Sequence, residues 1–441
     1  MAGIFKAYDI RGIIGKDLTE DLAFKIGRAF ATFLKCRKVV VGQDMRPHSD
    51  AMFAGLCKGL TLQGADVIRI GVCSTPMSYY ANGKLGADSS IMITASHNPG
   101  EWNGFKLCRA AGVPISGSTG IADIEKIVTT QAFDAPAATP GQVNHYDILP
   151  EYTQHIGNMA ALKRPIRIVA DFANSMGIVE AKTLKGLISI DPLFDTLDGT
   201  FPNHEANPLK TETLEALQHK IKAGSYAFGA AFDGDADRVG FVDEKGAIIP
   251  MDMITALIAE SMLQKAKGST FLYDLRSSWA VKEVIAENGG KSQMCRVGHA
   301  FIKQQMRDAK AVFAGELSGH YYFRDNYYTE SSAMAVLFIA NLLSQTDKPL
   351  SELLKPLQRY AKSTEINSEV HDTASVLKRL KAQYPDGKQF ELDGLTVEYT
   401  DWWFNVRTSN TEPLIRLNLE AKQPSVLDQR TAELLKVIRA S

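Results

Sequence analysis

The sequence is poor in cysteine, in net charge and in long apolar runs, and each shortage closes off a class of function. Among its 441 residues are five cysteines (Cys36, Cys57, Cys73, Cys108 and Cys295), an odd number with no CxxC pair. This pattern excludes a disulfide framework and a thiolate zinc site, and it predicts reduced thiols in a cytoplasmic protein. Lys+Arg total 49 against 50 Asp+Glu, a formal net charge of -1. No whole-molecule basic surface is left for nucleic acid, although a local basic cleft remains open. The longest apolar run, 333–340, is far short of the ~20 residues that span a bilayer. The opening MAGIFKAYDIRG lacks a hydrophobic signal region, so neither secretion nor a membrane partner is expected.

What remains is ordinary for a folded chain: 45% hydrophobic and 22% charged residues. At roughly 150 residues per domain the length suggests about three domains, and the pattern raises that to four. Short apolar strands are expected at 38–41, 66–70, 90–93, 166–170, 227–232, 270–273 and 311–314, with helices over 18–33, 211–222, 251–265 and 278–287 between many of them. Such alternation argues for α/β units with parallel sheets buried on both faces, and the expected fold is α/β with mixed, mainly parallel sheets. Past Ser363 the style changes to alternating strands at 394–400, 402–407 and 414–419, followed by a helix over 426–438. The expected division is three related α/β domains, 1–144, 145–247 and 248–360, and a smaller α+β domain, 361–441.

Ligands in open α/β sheets gather beyond the carboxyl ends of strands. Four polar loops stand there or close by. Thr94-Ala95-Ser96-His97-Asn98-Pro99 offers Ser96 as a nucleophile or phosphoryl carrier, or simply a turn. No GxSxG elbow surrounds it, which argues against a hydrolase triad. Asp233-Gly234-Asp235-Ala236-Asp237-Arg238 places three carboxylates at alternate positions, on one side of an extended segment, a hard-oxygen site for Mg²⁺ or Ca²⁺ or else a solvated acidic turn. Glu244 even falls where an EF-hand loop has its last ligand, but Arg238 stands where that loop needs glycine, and the flanks read as strands. Gly315-Glu316-Leu317-Ser318-Gly319-His320 carries donors and acceptors suited to sugar hydroxyls, or is a surface turn. Arg407-Thr408-Ser409-Asn410-Thr411-Glu412-Pro413 is a phosphate cradle or a polar hairpin. Arg11 in YDIRG and Lys106 in NGFK are loop cations that can face an anion or be solvated.

Together and in this order, YDIRG, TASHNP, NGFK, DGDADR, GELSGH and RTSNTEP resemble the α-D-phosphohexomutase superfamily, in its phosphomannomutase/phosphoglucomutase branch. The resemblance covers the whole chain. It implies four domains around a central cleft and an isomerase that moves phosphate between C6 and C1 of a hexose. Ser96 is the implied phosphoserine, which gives its phosphoryl group to the sugar and recovers the other one from a hexose 1,6-bisphosphate. Asp233, Asp235 and Asp237, with an oxygen on Ser96, are the implied Mg²⁺ ligands. Arg238 assists beside them. Glu316, Ser318 and His320 would bind sugar hydroxyls, and Arg407, Ser409, Asn410 and Thr411 the phosphate that is not transferred. Tyr8 and Arg276 would line the cleft. Lys106, His299 and His320 are candidates for the general acid/base, with Arg11 in support.

Phosphoglucosamine mutases are the nearest alternative, but they usually begin with a GTDGIRG-type segment and carry GEQSGH in the sugar loop. Ala7-Tyr8-Asp9 and Leu317 stand at those places here. A non-catalytic sugar-phosphate binding protein on the same fold is the alternative from another class, and a phosphatase a third. A cytoplasmic monomer or homodimer acting on small sugar phosphates is expected.

Overall fold

The computed structural model describes residues 3–408 and 414–440, and the chain builds four sheets in sequence order. The first has the strand order Ile10–Ile13, Trp102–Arg109, Ser89–Ile93, Lys38–Gln43, Asp66–Val72, Val143–His145. Its last three pairings are parallel and its first two antiparallel. The second runs Ile248–Ile249, Val239–Asp243, Phe228–Phe232, Arg167–Asp171, Ser189–Leu193, and the third Lys291–Cys295, Thr270–Asp274, Phe313–Gly315, Tyr321–Phe323, Thr329–Glu330. Each of these two joins a parallel half to an antiparallel half. The fourth is antiparallel throughout, with Leu414–Ala421 at its centre and the helix Pro424–Arg439 against it. Three mixed α/β sheets followed by an α+β unit is the expected architecture; the apolar pattern by itself marks only the strands of the parallel halves. The first sheet's last strand ends at His145 and the second's at Ile249, one and two residues past the expected divisions.

The sequence explains these elements. Ser89–Ile93 and Phe228–Phe232 are buried at every position, so they read as unbroken apolar runs rather than alternating ones. Glu20–Leu34 is amphipathic, its first turn capped by the Thr19 hydroxyl, which accepts from Leu22 N. Ser332–Ser344 is apolar nearly all round, and it is buried nearly all round. All five cysteines are free and buried. No helix among the described residues is long and apolar enough to cross a membrane.

One apolar core runs through the second and third units and into the first, from Val40, Tyr80 and Met92 through Phe228 and Ile254 to Phe313 and Leu337. The C-terminal unit keeps a separate core of Val376, Leu395, Phe404, Leu417 and Leu434. It meets the rest through polar contacts: Trp279 N donates to Glu420 Oε1 at 2.9 Å, Trp279 Nε1 to Glu398 Oε1 at 2.7 Å, and Lys282 pairs with Glu398 at 2.6 Å.

A buried carboxyl ties the first two units together. Glu180 accepts from Ser74 Oγ across the junction and from Tyr152 Oη at 3.1 Å. Burial outweighs both donors and pushes its pKa from 4.5 up to about 7. Below 4.5 both the folded and unfolded chains hold this proton. Between 4.5 and about 7 only the folded chain does, so stability falls as pH rises through that window and the loss is complete above it. Glu180→Gln cannot ionise, and is expected to gain roughly 3 kcal/mol on the wild type between about pH 4 and about pH 8. Denaturant melts of the two proteins across that range check this, and parallel profiles would contradict it.

Candidate active site

The strand Ser89–Ile93 leads into Thr94-Ala95-Ser96, and the turn there is tight. Ser96 takes a left-handed backbone, φ 54°, and is 1% exposed. Its N–H donates to Thr94 Oγ1 at 2.9 Å, and its hydroxyl to Asp233 Oδ2 at 3.1 Å. His97 Nδ1 lies 3.3 Å from the same hydroxyl. Burial, then the Arg238 and Arg11 cations, push the His97 pKa down to about 2, so this ring is neutral.

Arg11 and Lys106 are not loop cations, as their neighbouring turn residues suggest; both sit on strands. Ile10–Ile13 and Trp102–Arg109 run antiparallel with Arg11 opposite Gly104, and Lys106 pairs across to Met92. The approach is so close that a Cβ on Gly104 would stand 2.1 Å from Ile10 O. Arg11 is fixed by Asp9 at 2.7 Å and donates to Asn98 Oδ1 at 2.7 Å and Ala95 O at 3.2 Å, bracing the serine loop.

The acidic loop also differs from its expected form. It is a turn joining the antiparallel strands Phe228–Phe232 and Val239–Asp243, with Ala236 left-handed at φ 59°, rather than an extended segment. The turn still gathers Asp233, Asp235 and Asp237, whose oxygens lie within 4.8 Å of one another. Lys106 Nζ reaches Asp235 Oδ2 at 2.6 Å and Asp237 Oδ2 at 2.5 Å, and Thr75 Oγ1 donates to Asp235 Oδ2 at 2.6 Å. Asp235 Oδ1 and Asp237 Oδ1 are buried with no hydrogen-bond partner among the described residues. Burial, then Asp237 and Asp235, push Asp233 up to about 8. Three buried carboxylates, two orphaned oxygens and a hydroxyl within reach form a hard-oxygen donor set that fits a small divalent cation.

The third loop closes on the second. Phe313–Gly315 and Tyr321–Phe323 form a hairpin around Glu316-Leu317-Ser318-Gly319-His320. His320 Nδ1 lies 2.7 Å from Ser318 Oγ and 3.1 Å from Glu316 Oε2, while Nε2 faces Asp237 Oδ1 at 3.3 Å. Burial works to lower its pKa, but Asp237 and Glu316 outweigh that and raise it to about 9. Arg238 Nε stands 3.4 Å from His320 Nε2 and 3.8 Å from Asp233 Oδ2. His299 opens the helix His299–Ala309 beside Tyr8, their ring centroids 5.4 Å apart. Burial, then Lys303 and Lys106, hold His299 well below its usual pKa.

Next to these loops lies a cleft of about 350 Å³ lined by Tyr8, Arg276, Glu316, Ser318, Arg407 and Arg416, among others. Arg276, Arg407 and Arg416 converge on the Glu365 carboxylate at 3.5, 2.9 and 3.4 Å. Arg296, Arg407 and Arg416 each keep a buried Nε with no partner among the described residues. The cleft is therefore rich in donors for an anion. Ser409, Asn410 and Thr411 lie outside the described residues.

The structure thus brings Ser96, Lys106, Arg11, the three aspartates, Arg238, Glu316, Ser318 and His320 into one contiguous polar network, with Tyr8, His299, Arg276 and Arg407 bordering it. Thr75, Arg296, Glu365 and Arg416 are additions that the sequence reading misses. Arg416 and Asn418 alternate with Ile415, Leu417 and Leu419, a period-two signal that places both on one face of their strand.

The chain matches four domain descriptions in order. They are "Phosphoglucomutase/phosphomannomutase, alpha/beta/alpha domain I" over residues 2–135, domain II over 150–246, domain III over 250–360, and the C-terminal domain over 365–437. It is 37% identical to a phosphomannomutase of Escherichia coli over 450 residues, covering 99% of both chains. It is likewise 37% identical to a protein of Xanthomonas campestris pv. campestris described as "Phosphohexose mutases", again over 99% of both. A crystal structure of a phosphoglucomutase/phosphomannomutase family protein from Burkholderia thailandensis superposes with a TM-score of 0.92 at 33% identity, over 99% of this chain and 98% of that one. Matched from end to end by all four domains and by full-length relatives, the chain belongs to the phosphoglucomutase/phosphomannomutase family.

Proposed function

We propose that the chain is a phosphomannomutase that also accepts glucose phosphates. It interconverts hexose 6-phosphate and hexose 1-phosphate through phosphorylated Ser96, with hexose 1,6-bisphosphate as intermediate and activator. The observation that carries this reading is the Ser96 hydroxyl held 3.1 Å from Asp233, in a turn of three buried carboxylates of which the other two pair with Lys106. A serine meant only for a turn needs no such surroundings. The division near residues 144, 247 and 360, and a cytoplasmic monomer or homodimer, belong to the same reading.

In the forward half-reaction a sugar hydroxyl oxygen bonds to phosphorus, the bond from phosphorus to Ser96 Oγ breaks, and the hydroxyl proton passes to a protein base. Reversing these events from the other end of the bisphosphate restores the phosphoserine. Asp233, Asp235 and Asp237 would hold Mg²⁺, which when bound neutralises charge on the transferring group. Arg11 braces the loop that carries Ser96. Lys106 and His320, both at Asp237, and His299, held neutral, border the space where the proton must move. Glu316 and Ser318 face the cleft and suit sugar hydroxyls in either orientation of the bisphosphate. The far phosphate would replace the Glu365 carboxylate among Arg276, Arg407 and Arg416, helped by Ser409, Asn410 and Thr411. Mannose and glucose differ only at C2, and one extra tolerance at a polar pocket is enough to admit both.

A coupled assay with Mg²⁺ and catalytic hexose 1,6-bisphosphate is expected to show turnover of mannose 1-phosphate and glucose 1-phosphate, with little on glucosamine 1-phosphate. Ser96→Ala should abolish it. Preference for the glucosamine substrate would make the chain a phosphoglucosamine mutase, and release of inorganic phosphate without isomerised product a phosphatase. No turnover on any of them would favour a binding protein.

The metal assignment has its own readout. Millimolar Mg²⁺ should raise the melting temperature of the wild type, since a ligand that binds only the folded state stabilises it by about 2.7 kcal/mol at 100 times its Kd. Asp237→Asn should flatten that response. An undiminished shift in the variant would place the cation elsewhere.

A further inference from the structure

Arg46 lies outside every motif discussed above and lines neither the acidic loop nor the cleft. Its side chain and that of Asp44 are fully buried, a pair of charges removed from water. A guanidinium has five N–H donors in a rigid planar fork, and here each one has an acceptor. Nε donates to Asp44 Oδ2 at 3.1 Å, Nη1 to Pro99 O at 2.6 Å and Trp102 O at 2.9 Å, and Nη2 to Ser96 O at 2.9 Å and Asn98 O at 2.6 Å. Four of the five acceptors are therefore backbone carbonyls of the stretch Ser96–Trp102.

The pair is itself anchored. Asp44 Oδ1 accepts from Arg46 N at 3.1 Å and from Ser49 Oγ at 2.8 Å, and Asp44 N donates to Ile93 O at 2.9 Å, on the strand that feeds the serine loop. The clamped backbone is not a relaxed one, because Ser96 holds a left-handed φ of 54° without being glycine. Such a conformation persists only where its surroundings over-determine it, and the guanidinium supplies that constraint from behind. The second unit seals the arrangement. The Phe201 ring covers the guanidinium at 5.1 Å, and Gly199 approaches so closely that a Cβ there would stand 2.5 Å from Arg46 Cα.

We propose that Arg46 is the positioning residue of the phosphoryl-carrying serine. Its fork fixes the backbone of residues 96–102 so that Ser96 Oγ faces Asp233. Lysine brings the same charge as a single point with three donors, and cannot hold four carbonyls in one plane. The inference rests on the mutase reading, to which it adds a part that touches no substrate.

The test is Arg46→Lys, with Phe201→Leu as a milder second variant that keeps all five donors and only opens the guanidinium to water. Activity is referred to folded protein by circular dichroism. Arg46→Lys is expected to lose about 100-fold in kcat while KM for hexose 1-phosphate moves less than about threefold, since misplacing a reacting atom costs rate rather than binding. Phe201→Leu should show an intermediate kcat at unchanged KM. Intact mass after incubation with hexose 1,6-bisphosphate should show slower uptake of one phosphoryl group in Arg46→Lys. Wild-type kcat per folded molecule in both variants, or a loss expressed through KM, overturns the assignment. Should Arg46→Lys not fold, Phe201→Leu decides by the same criterion. Wild-type protein that takes up the phosphoryl group but turns over no sugar overturns the mutase reading alone. Wild-type protein that takes up none overturns both.

Discussion

The structure depends on one buried knot of charge. Lys106 comes from the first unit and lies between Asp235 and Asp237 of the second, at 2.6 and 2.5 Å, with its side chain 8% exposed. Charges removed from water must be matched, because leaving one member of such a pair alone costs about 3–5 kcal/mol. The strand Trp102–Arg109 therefore cannot slide relative to the acidic turn, and Ser96, opposite that turn, is held with them. His320 extends the knot to the third unit through Asp237 and Glu316. Three units are thus registered at the point where phosphoryl chemistry needs sub-ångström placement.

The C-terminal unit obeys a different rule. Its core is its own, and its contacts with the third unit are polar. What it brings to the cleft is Arg407 and Arg416, gathered with Arg276 around Glu365. Burial works to raise the Glu365 pKa, but Arg407 and Arg276 outweigh it and hold the carboxyl down at about 2, so it is ionised at neutral pH. An internal anion thus keeps the guanidinium groups assembled. The packing thus divides the molecule: three units that share the buried charge network, and a C-terminal unit with its own core that carries Arg407 and Arg416.

How much of this was legible in the sequence depends on where the chemistry shows against its background. Ser96, the three aspartates and the Glu316–His320 loop stand out because each is a polar cluster directly beyond an apolar strand. The parallel halves of the sheets are legible for the same reason, through unbroken apolar runs, and the change of style after Ser363 through alternation. The antiparallel strands Trp102–Arg109, Val239–Asp243 and Tyr321–Phe323 are not, because they too are buried nearly throughout. Lys106 reads as a loop cation because its strand carries asparagine and glycine near its start and is buried on both faces, so no alternation marks it. Arg11 does so because its strand, Ile10–Ile13, is only four residues long and holds a glycine. The acidic turn reads as extended because its carboxylates alternate and its left-handed residue is Ala236 rather than glycine, so Asp233-Gly234 is the one local sign of the bend. Arg46 was silent altogether. A buried arginine is recognisable only from the carbonyls around it, and those lie about 50 positions further along the chain.

The central claim is that Ser96, fixed against the acidic turn, carries the phosphoryl group in both directions. The most direct measurement is a single-turnover chase. Protein labelled from hexose 1,6-bisphosphate carrying ³²P is mapped to the labelled peptide and then mixed with unlabelled mannose 1-phosphate. The account predicts label on the peptide containing Ser96 and its quantitative passage into sugar bisphosphate, at a rate no slower than steady-state turnover. Label on any other residue, or its loss as inorganic phosphate faster than it reaches the sugar, would contradict it.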